Sequence, residues 1–221
     1  MKAARPAADL LIEARALERA VCMAEAAATY EAAIAAADAT GERAVLSEAL
    51  RRFAIIRHRR GESAEARELC CRSHAIARAA GADLLAAEAL NTLGGIGLET
   101  DGVADARQHF LRALELGGES RELRARVEQN LGIVANIQGD FDAALTHYGR
   151  SLQAYRAASD EHGCAIAYHN LGMTSVDRRR FDEAERYFRQ SYEIAQRVGD
   201  AYLEGLCLVN HAKVHVACER Y

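Results

Sequence analysis

Residues 130–152 read NLGIVANIQGDFDAALTHYGRSL, and residues 170–192 read NLGMTSVDRRRFDEAERYFRQSY. Aligned on Asn130-Leu131-Gly132 and Asn170-Leu171-Gly172, they share an offset of 40. The same offset carries Phe141 to Phe181, Asp142 to Asp182, Ala144 to Ala184, Tyr148 to Phe188 and Ser151 to Ser191. One step forward, Asn170 meets Asn210 and Phe181 meets Tyr221. Backward, Leu131-Gly132 meets Leu93-Gly94, and Ala144, Tyr148 and Leu152 meet Ala106, Phe110 and Leu114 at a step of 38. The two missing residues fall near Gly117-Gly118. Further steps of 40 take Ala106 to Ala66 and Ala26, and Phe110 to Cys70 and Tyr30. A period held along most of a chain is the signature of a repeat architecture.

Within one period the apolar pattern is helical, twice over. Leu123, Val127, Leu131 and Val134 are spaced four, four and three, which makes one stripe on a helix that Ser120 can cap. Gly139-Asp140 interrupts it with a residue suited to a helix C-terminus and then an N-cap. A second stripe follows through Phe141, Ala144, Leu145, Tyr148 and Leu152. Alanine at 26, 66, 106, 144 and 184 marks where packed helices leave no room for a longer side chain. One such pair cannot bury both of its apolar faces, so neighbouring pairs must stack.

Composition agrees. The 221 residues include one proline and no tryptophan, which disfavours turn-rich β-sandwiches and barrels. A net charge of −4 gives no general reason to bind nucleic acid or an anionic membrane. No apolar run approaches a membrane span, and Asp9, Glu13 and Glu18 interrupt any signal-peptide pattern. Cys22, Cys70, Cys71, Cys164, Cys207 and Cys218 are dispersed without a C-x-x-C spacing. They read as small buried residues in a reducing compartment, and the chain as cytoplasmic.

The pattern Asn-Leu-Gly, breaker, then Phe-x-x-Ala-x-x-x-aromatic-x-x-Ser/Ala resembles the tetratricopeptide repeat. The long period is similar to the variety seen in kinesin light chains, Pins-type adaptors and bacterial regulators such as the maltose activator. The resemblance implies an all-α, right-handed superhelical solenoid of antiparallel helix pairs. Its expected units are a degenerate first repeat at 1–43, repeats at 44–82, 83–119, 120–159 and 160–200, and a lone first helix at 201–221. Ile12-Glu13-Ala14 stand where later units have Asn-Leu-Gly, so the first helix is expected to be irregular. Tyr221 stands where a further second helix would begin. The last helix is therefore expected to be open, covered by downstream domains of a longer chain or by a second copy in a homodimer.

Asn130, Asn170 and Asn210 share one register, in which earlier units carry Thr92 and Arg52. Asparagine is a mediocre helix former, so its recurrence needs a reason. The resemblance implies that the first helix of each pair lines a concave groove, where such an asparagine holds an extended peptide backbone. A carboxamide supplies both the donor and the acceptor that such a peptide needs. The alternative is an asparagine hydrogen-bonded within its own repeat. Helical spacing puts Arg126, Ile133 and Ile137, then Ile166, Met173 and Asp177, then Leu206, Lys213 and Ala217 on the same faces.

Two clusters invite other readings. Arg51, Arg52, Arg57, His58, Arg59 and Arg60 crowd one helix, with Arg52 and Arg59 seven apart on the groove side. Arginine forks suit an acidic ligand segment, although Glu62, Glu65 and Glu68 could neutralise them. Cys207, His211, His215 and Cys218 share a helix face but span about 16 Å, too far for one ion. His211 also falls in the register of Leu171 and Leu131, so a core-facing stripe without metal is expected. His109 and His147 match in register and read as surface residues. Gly94, Gly95 and Gly97 sit inside a helical register and read as close-contact glycines, not a phosphate loop. No P-loop, nucleophile elbow or zinc-protease motif is present. The sequence therefore predicts a protein- or peptide-binding scaffold with no cofactor and no enzymatic activity. The alternative is the sensory segment of a larger signalling enzyme or transcription regulator.

Overall fold

The computed structural model describes residues 5–100, 102–117 and 119–219, with side chains described as far as residue 217. Every regular element among them is an α-helix: α1 (Ala7–Arg19), α2 (Met23–Thr40), α3 (Arg43–Arg59), α4 (Ser63–Ala79), α5 (Asp83–Thr100), α6 (Val103–Gly117), α7 (Arg121–Ile137), α8 (Phe141–Ala157), α9 (Glu161–Asp177), α10 (Phe181–Val198) and α11 (Ala201–Glu219). Tyr221 and its register lie outside the described residues. The helices form two compact units, Met1–Gly117 and Gly118–Tyr221. Their division falls where the period shortens. No helix among the described residues is long and apolar enough to cross a membrane.

The helix ends are where local chemistry puts them. Ser120 Oγ accepts a hydrogen bond from the Leu123 amide at 3.2 Å, which starts α7. Gly139 takes the left-handed conformation (φ 75°), and Asp140 then caps α8 by accepting from the Ala143 amide at 3.0 Å. The first helix departs from expectation. It is regular, because Leu10, Leu11 and Ala14 are buried on one face and anchor it against α2.

Three devices lock the hairpins, in different combinations. The first is a close approach: a Cβ on Gly94 would stand 2.4 Å from Phe110 Cε1, one on Gly132 2.5 Å from Tyr148 Cε1, and one on Gly172 2.6 Å from Phe188 Cε1. The second is the fully buried alanine at 26, 66, 106, 144 and 184. The third is a buried serine that donates to the carbonyl 26 residues earlier. Ser73 Oγ reaches Ser47 O at 2.7 Å, Ser151 Oγ reaches Ala125 O at 2.8 Å, and Ser191 Oγ reaches Ala165 O at 2.8 Å. Each serine lets a polar group sit in the core with its donor satisfied.

The cysteines divide. Cys70, Cys164 and Cys207 are buried, and burial pushes the Cys70 thiol up to about 12. Cys71 is exposed and Cys22 half-buried, so these two depart from the expected buried role. The Cys218 side chain lies outside the described residues.

Candidate functional site

Within the second unit, α7 touches α9 and α9 touches α11, whereas α8 and α10 do not meet among the described residues. Odd helices that crowd together while even ones splay apart curve this unit toward its odd-helix face. The three asparagines sit one on each of these odd helices. Asn130 and Asn170 are half-buried, and Asn210 is buried at 8% exposure.

The asparagines are not equivalent. Lys213 Nζ donates to Asn210 Oδ1 at 3.4 Å, and a lysine can only donate. That fixes the carboxamide, so Asn210 Nδ2 donates to His169 Nε2 at 3.0 Å. An imidazole nitrogen accepts only when unprotonated, so His169 must be neutral for this bond. Burial lowers the His169 pKa below the ordinary value, while its hydrogen bond with Asn170 acts in the opposite sense. The geometry thus ties Asn170, His169, Asn210 and Lys213 into one polar seam between α9 and α11. Between α7 and α9 the seam continues, with Thr174 Oγ1 donating to Asn136 Oδ1 at 3.2 Å.

Around these groups Arg126, Ile133, Ile166 and Leu206 are half-buried, while Met173 and Lys213 are exposed. Ile137 is 58% exposed. The face therefore mixes polar anchors with accessible apolar side chains, the composition of a surface that can seat an extended chain. Sequence reasoning missed His169, Asn136 and Thr174. The available signal was the residue just before Asn130 and Asn170, Gln129 and His169, which is polar in both clear repeats, while Val209 stands before Asn210. Gln129 Oε1 accepts from Tyr155 Oη at 3.1 Å, so this second polar register also fastens helices together.

In the first unit the arginines of α3 meet carboxylates. Arg52 lies 3.1 Å from Glu48 and 3.2 Å from Glu18, and the Arg51 guanidinium is 3.5 Å from Glu88. Arg57 reaches Glu31, Glu62 and Glu65 and stacks over Phe53. Arg59 is exposed. Both Glu62 and Glu65, expected as neutralising partners, act on Arg57.

The histidines differ from expectation. The buried stripe of α11 runs through Leu203, Cys207, Asn210 and Val214, while His211 is half-buried and His215 exposed at its edge. Leu171 is buried in a cluster with Tyr148, Leu152 and Tyr155 of α8, whereas His211 stands beside the Glu185 carboxylate of α10. His147 is half-buried, with Nδ1 2.7 Å from an oxygen of the buried Glu128. His109 Nδ1 is buried without a hydrogen-bond partner, and burial with Arg67 and Arg112 lowers its pKa. Apolar exposure concentrates on α11, where Tyr202 is 78%, Leu208 55% and Val209 54% exposed.

Comparison with known proteins fits this geometry. The family model described as tetratricopeptide repeat matches residues 85–157 and 122–197, together just over half the chain. The photosystem I assembly protein Ycf3 of Synechococcus elongatus is 30% identical over 101 residues, 45% of this chain and 58% of its own. The chain thus spans little more than half the length of the curated relatives it matches. Among solved structures, BtubC (BKLC) from P. vanneervenii superposes with a TM-score of 0.68 at 21% identity, over 86% of this chain and 80% of its own. Aspartyl phosphate phosphatase F from Bacillus subtilis gives 0.76 at 14%, over 86% and 50%. Pseudomonas aeruginosa pilF gives 0.65 at 17%, over 97% and 90%. At these identities the solved structures bear on the fold alone.

Proposed function

Because the chain belongs to the tetratricopeptide repeat family, we propose that it is a protein-binding scaffold of the cytoplasm, not an enzyme, and that it captures an extended peptide segment on the α7–α9–α11 face. The observation that carries this reading is the placement of Asn130 and Asn170 on adjacent odd helices, half-buried, with Ile133 and exposed Met173 beside them. Carboxamides at that depth can reach a peptide backbone, and the flanking apolar groups can take its side chains. Arg126 at one end and Lys213 at the other add positive charge, which favours a ligand with acidic residues. Asn210 has a different part. Its carboxamide is held by His169 and Lys213, so it orders α11 and presents Lys213. Arg52 and Arg59 on α3 are weaker anchors in this reading, since Arg52 already has Glu18 and Glu48.

The relatives add a direction: the name of Ycf3 describes an assembly protein, and a scaffold that grips segments of other chains would suit that kind of work. Peptides selected from a random display library against the full chain test the proposal. The Asn130→Ala, Asn170→Ala double variant should lose at least about tenfold in affinity for them, or ~1.4 kcal/mol, with helicity unchanged. Undiminished affinity in the folded variant would place the ligand elsewhere.

A further inference from the structure

α10 and α11 bring together a set of side chains that the period alone does not pair. His211 and His215 lie one turn apart on α11, with ring centroids 4.7 Å apart and planes at 71°. Glu185 approaches from α10, its Oε1 standing 3.4 Å from His211 Nε2. One ligand atom from each of the three residues falls within 4.8 Å of the others. In a tetrahedral zinc site, ligands at about 2.0–2.1 Å from the ion stand roughly 3.3 Å from each other. The glutamate–histidine separation already has that value, and the second histidine is within a rotamer adjustment of it.

We infer that Glu185, His211 and His215 form a binding site for one divalent transition-metal ion of the zinc class, which staples α11 onto α10. Two imidazoles and a carboxylate are borderline ligands that select zinc-type ions over magnesium or calcium. The exposed side of His215 leaves a fourth position for water. Cys207 takes no part: it is buried, its thiol is engaged with Ser191 Oγ at 3.2 Å, and burial raises its pKa away from the thiolate. Arg189 donates to Glu185 Oε1 at 3.0 Å. That is the same oxygen that faces His211, and it has a second lone pair, so the ion would share Oε1 with the arginine, at the cost of a nearby like charge.

The ion would matter because of where it sits. α11 packs on α10 and α9 through Leu203, Cys207 and Val214, while its opposite face carries the exposed Tyr202, Leu208 and Val209. A metal cross-link from α10 would hold this helix, and with it Lys213 and Asn210, in place. The site stands independently of the peptide proposal.

Calorimetric titration of zinc chloride into the reduced, chelator-treated full chain tests it. One ion per chain should bind with micromolar or tighter affinity, and the thermal midpoint should rise. His215→Ala, an exposed position whose loss leaves the fold intact, should weaken binding at least about tenfold and abolish the thermal shift. Glu185→Gln should weaken it similarly, and Arg189→Gln should tighten it by removing the competing charge. Cobalt in place of zinc should show tetrahedral visible bands without a thiolate charge-transfer band. Absence of zinc binding, binding indifferent to His215→Ala, or a thiolate band would each overturn the assignment.

Discussion

In α7–α8, Gly132 lies so close to Tyr148 that a Cβ there would stand 2.5 Å from the ring; in α3–α4 the same two registers hold Ala54 and Cys70, both fully buried. The large ring goes with the residue that has no side chain, and the small thiol goes with a methyl. Between these two hairpins the gap is filled jointly by two positions, while α1–α2 carries Ala14 and Tyr30 in the same registers, both fully buried. Neither residue is required by itself. Dense packing makes the two positions depend on each other, and the remaining difference in volume is taken up by their other neighbours.

The comparison breaks most visibly at Gly132. Gly132→Ala forces a methyl into the buried Tyr148 ring and should destabilise the chain by about 2 kcal/mol, even after the better helix propensity of alanine is counted. Adding Tyr148→Cys recreates the α3–α4 pairing. The double variant should be more stable than the sum of the two single changes by at least ~1 kcal/mol, read from urea midpoints. Strict additivity would mean that the two hairpins share a register without sharing a packing rule.

A second contrast separates Asn210 from Asn130 and Asn170. All three occupy one register, yet Asn210 is buried and depends on a neutral His169. Burial lowers the His169 pKa in the folded chain, so the unfolded chain binds the proton more readily. The stability this supplies is therefore complete above the ordinary histidine value of about 6.5 and is lost as pH falls below it toward the folded value. His109, lowered in the same sense by burial, Arg67 and Arg112, adds to the trend. Urea midpoints measured between about pH 7.5 and pH 5 should fall less steeply in His169→Gln than in the parent chain, with the remaining slope reporting His109 and other groups. Equal slopes would show that Asn210 does not rely on the imidazole.

These contrasts mark what was legible in the sequence. The helices, the close contact at Gly94 and the caps at Ser120 and Asp140 could be read because each depends on spacing within one period or on a step between periods, whereas Gly95, expected to make a close contact too, meets nothing within 4 Å of where a Cβ would stand. The cross-helix polar partners could not. Arg52 with Glu18, Asn210 with His169 and His211 with Glu185 are separated by 34, 41 and 26 residues. Such pairings depend on how far each helix is rotated about its own axis against its neighbour. His211 shows the consequence. Its register matches the buried Leu131 and Leu171, yet its imidazole is half-buried beside the Glu185 carboxylate of α10. For the asparagines, the sequence located the register, while the surroundings that make Asn210 structural became visible only with α9 in place.

The smallest expected effect concerns the turns. Val21 and Gly61 stand one period apart, each in the left-handed region, with φ of 61° and 83°. Their amides make equivalent bonds, Val21 to Glu18 O at 3.1 Å and Gly61 to His58 O at 2.8 Å. A β-branched residue is a steric outlier in that region, where even an ordinary side chain costs roughly 1–2 kcal/mol. Val21 is 73% exposed, so its side chain contributes little burial to offset the strain. Against this, glycine gives the unfolded chain more freedom, an opposing term of about 0.4–1 kcal/mol. The difference leaves Val21→Gly stabilising by about 0.5–1 kcal/mol, and the mirror change Gly61→Val destabilising by at least as much. Both are read from equilibrium unfolding. Should Val21→Gly leave the midpoint unchanged while Gly61→Val lowers it, the strain at Val21 has already been relieved by a local shift of the α1–α2 turn, and the two turns are alike in register but not in shape.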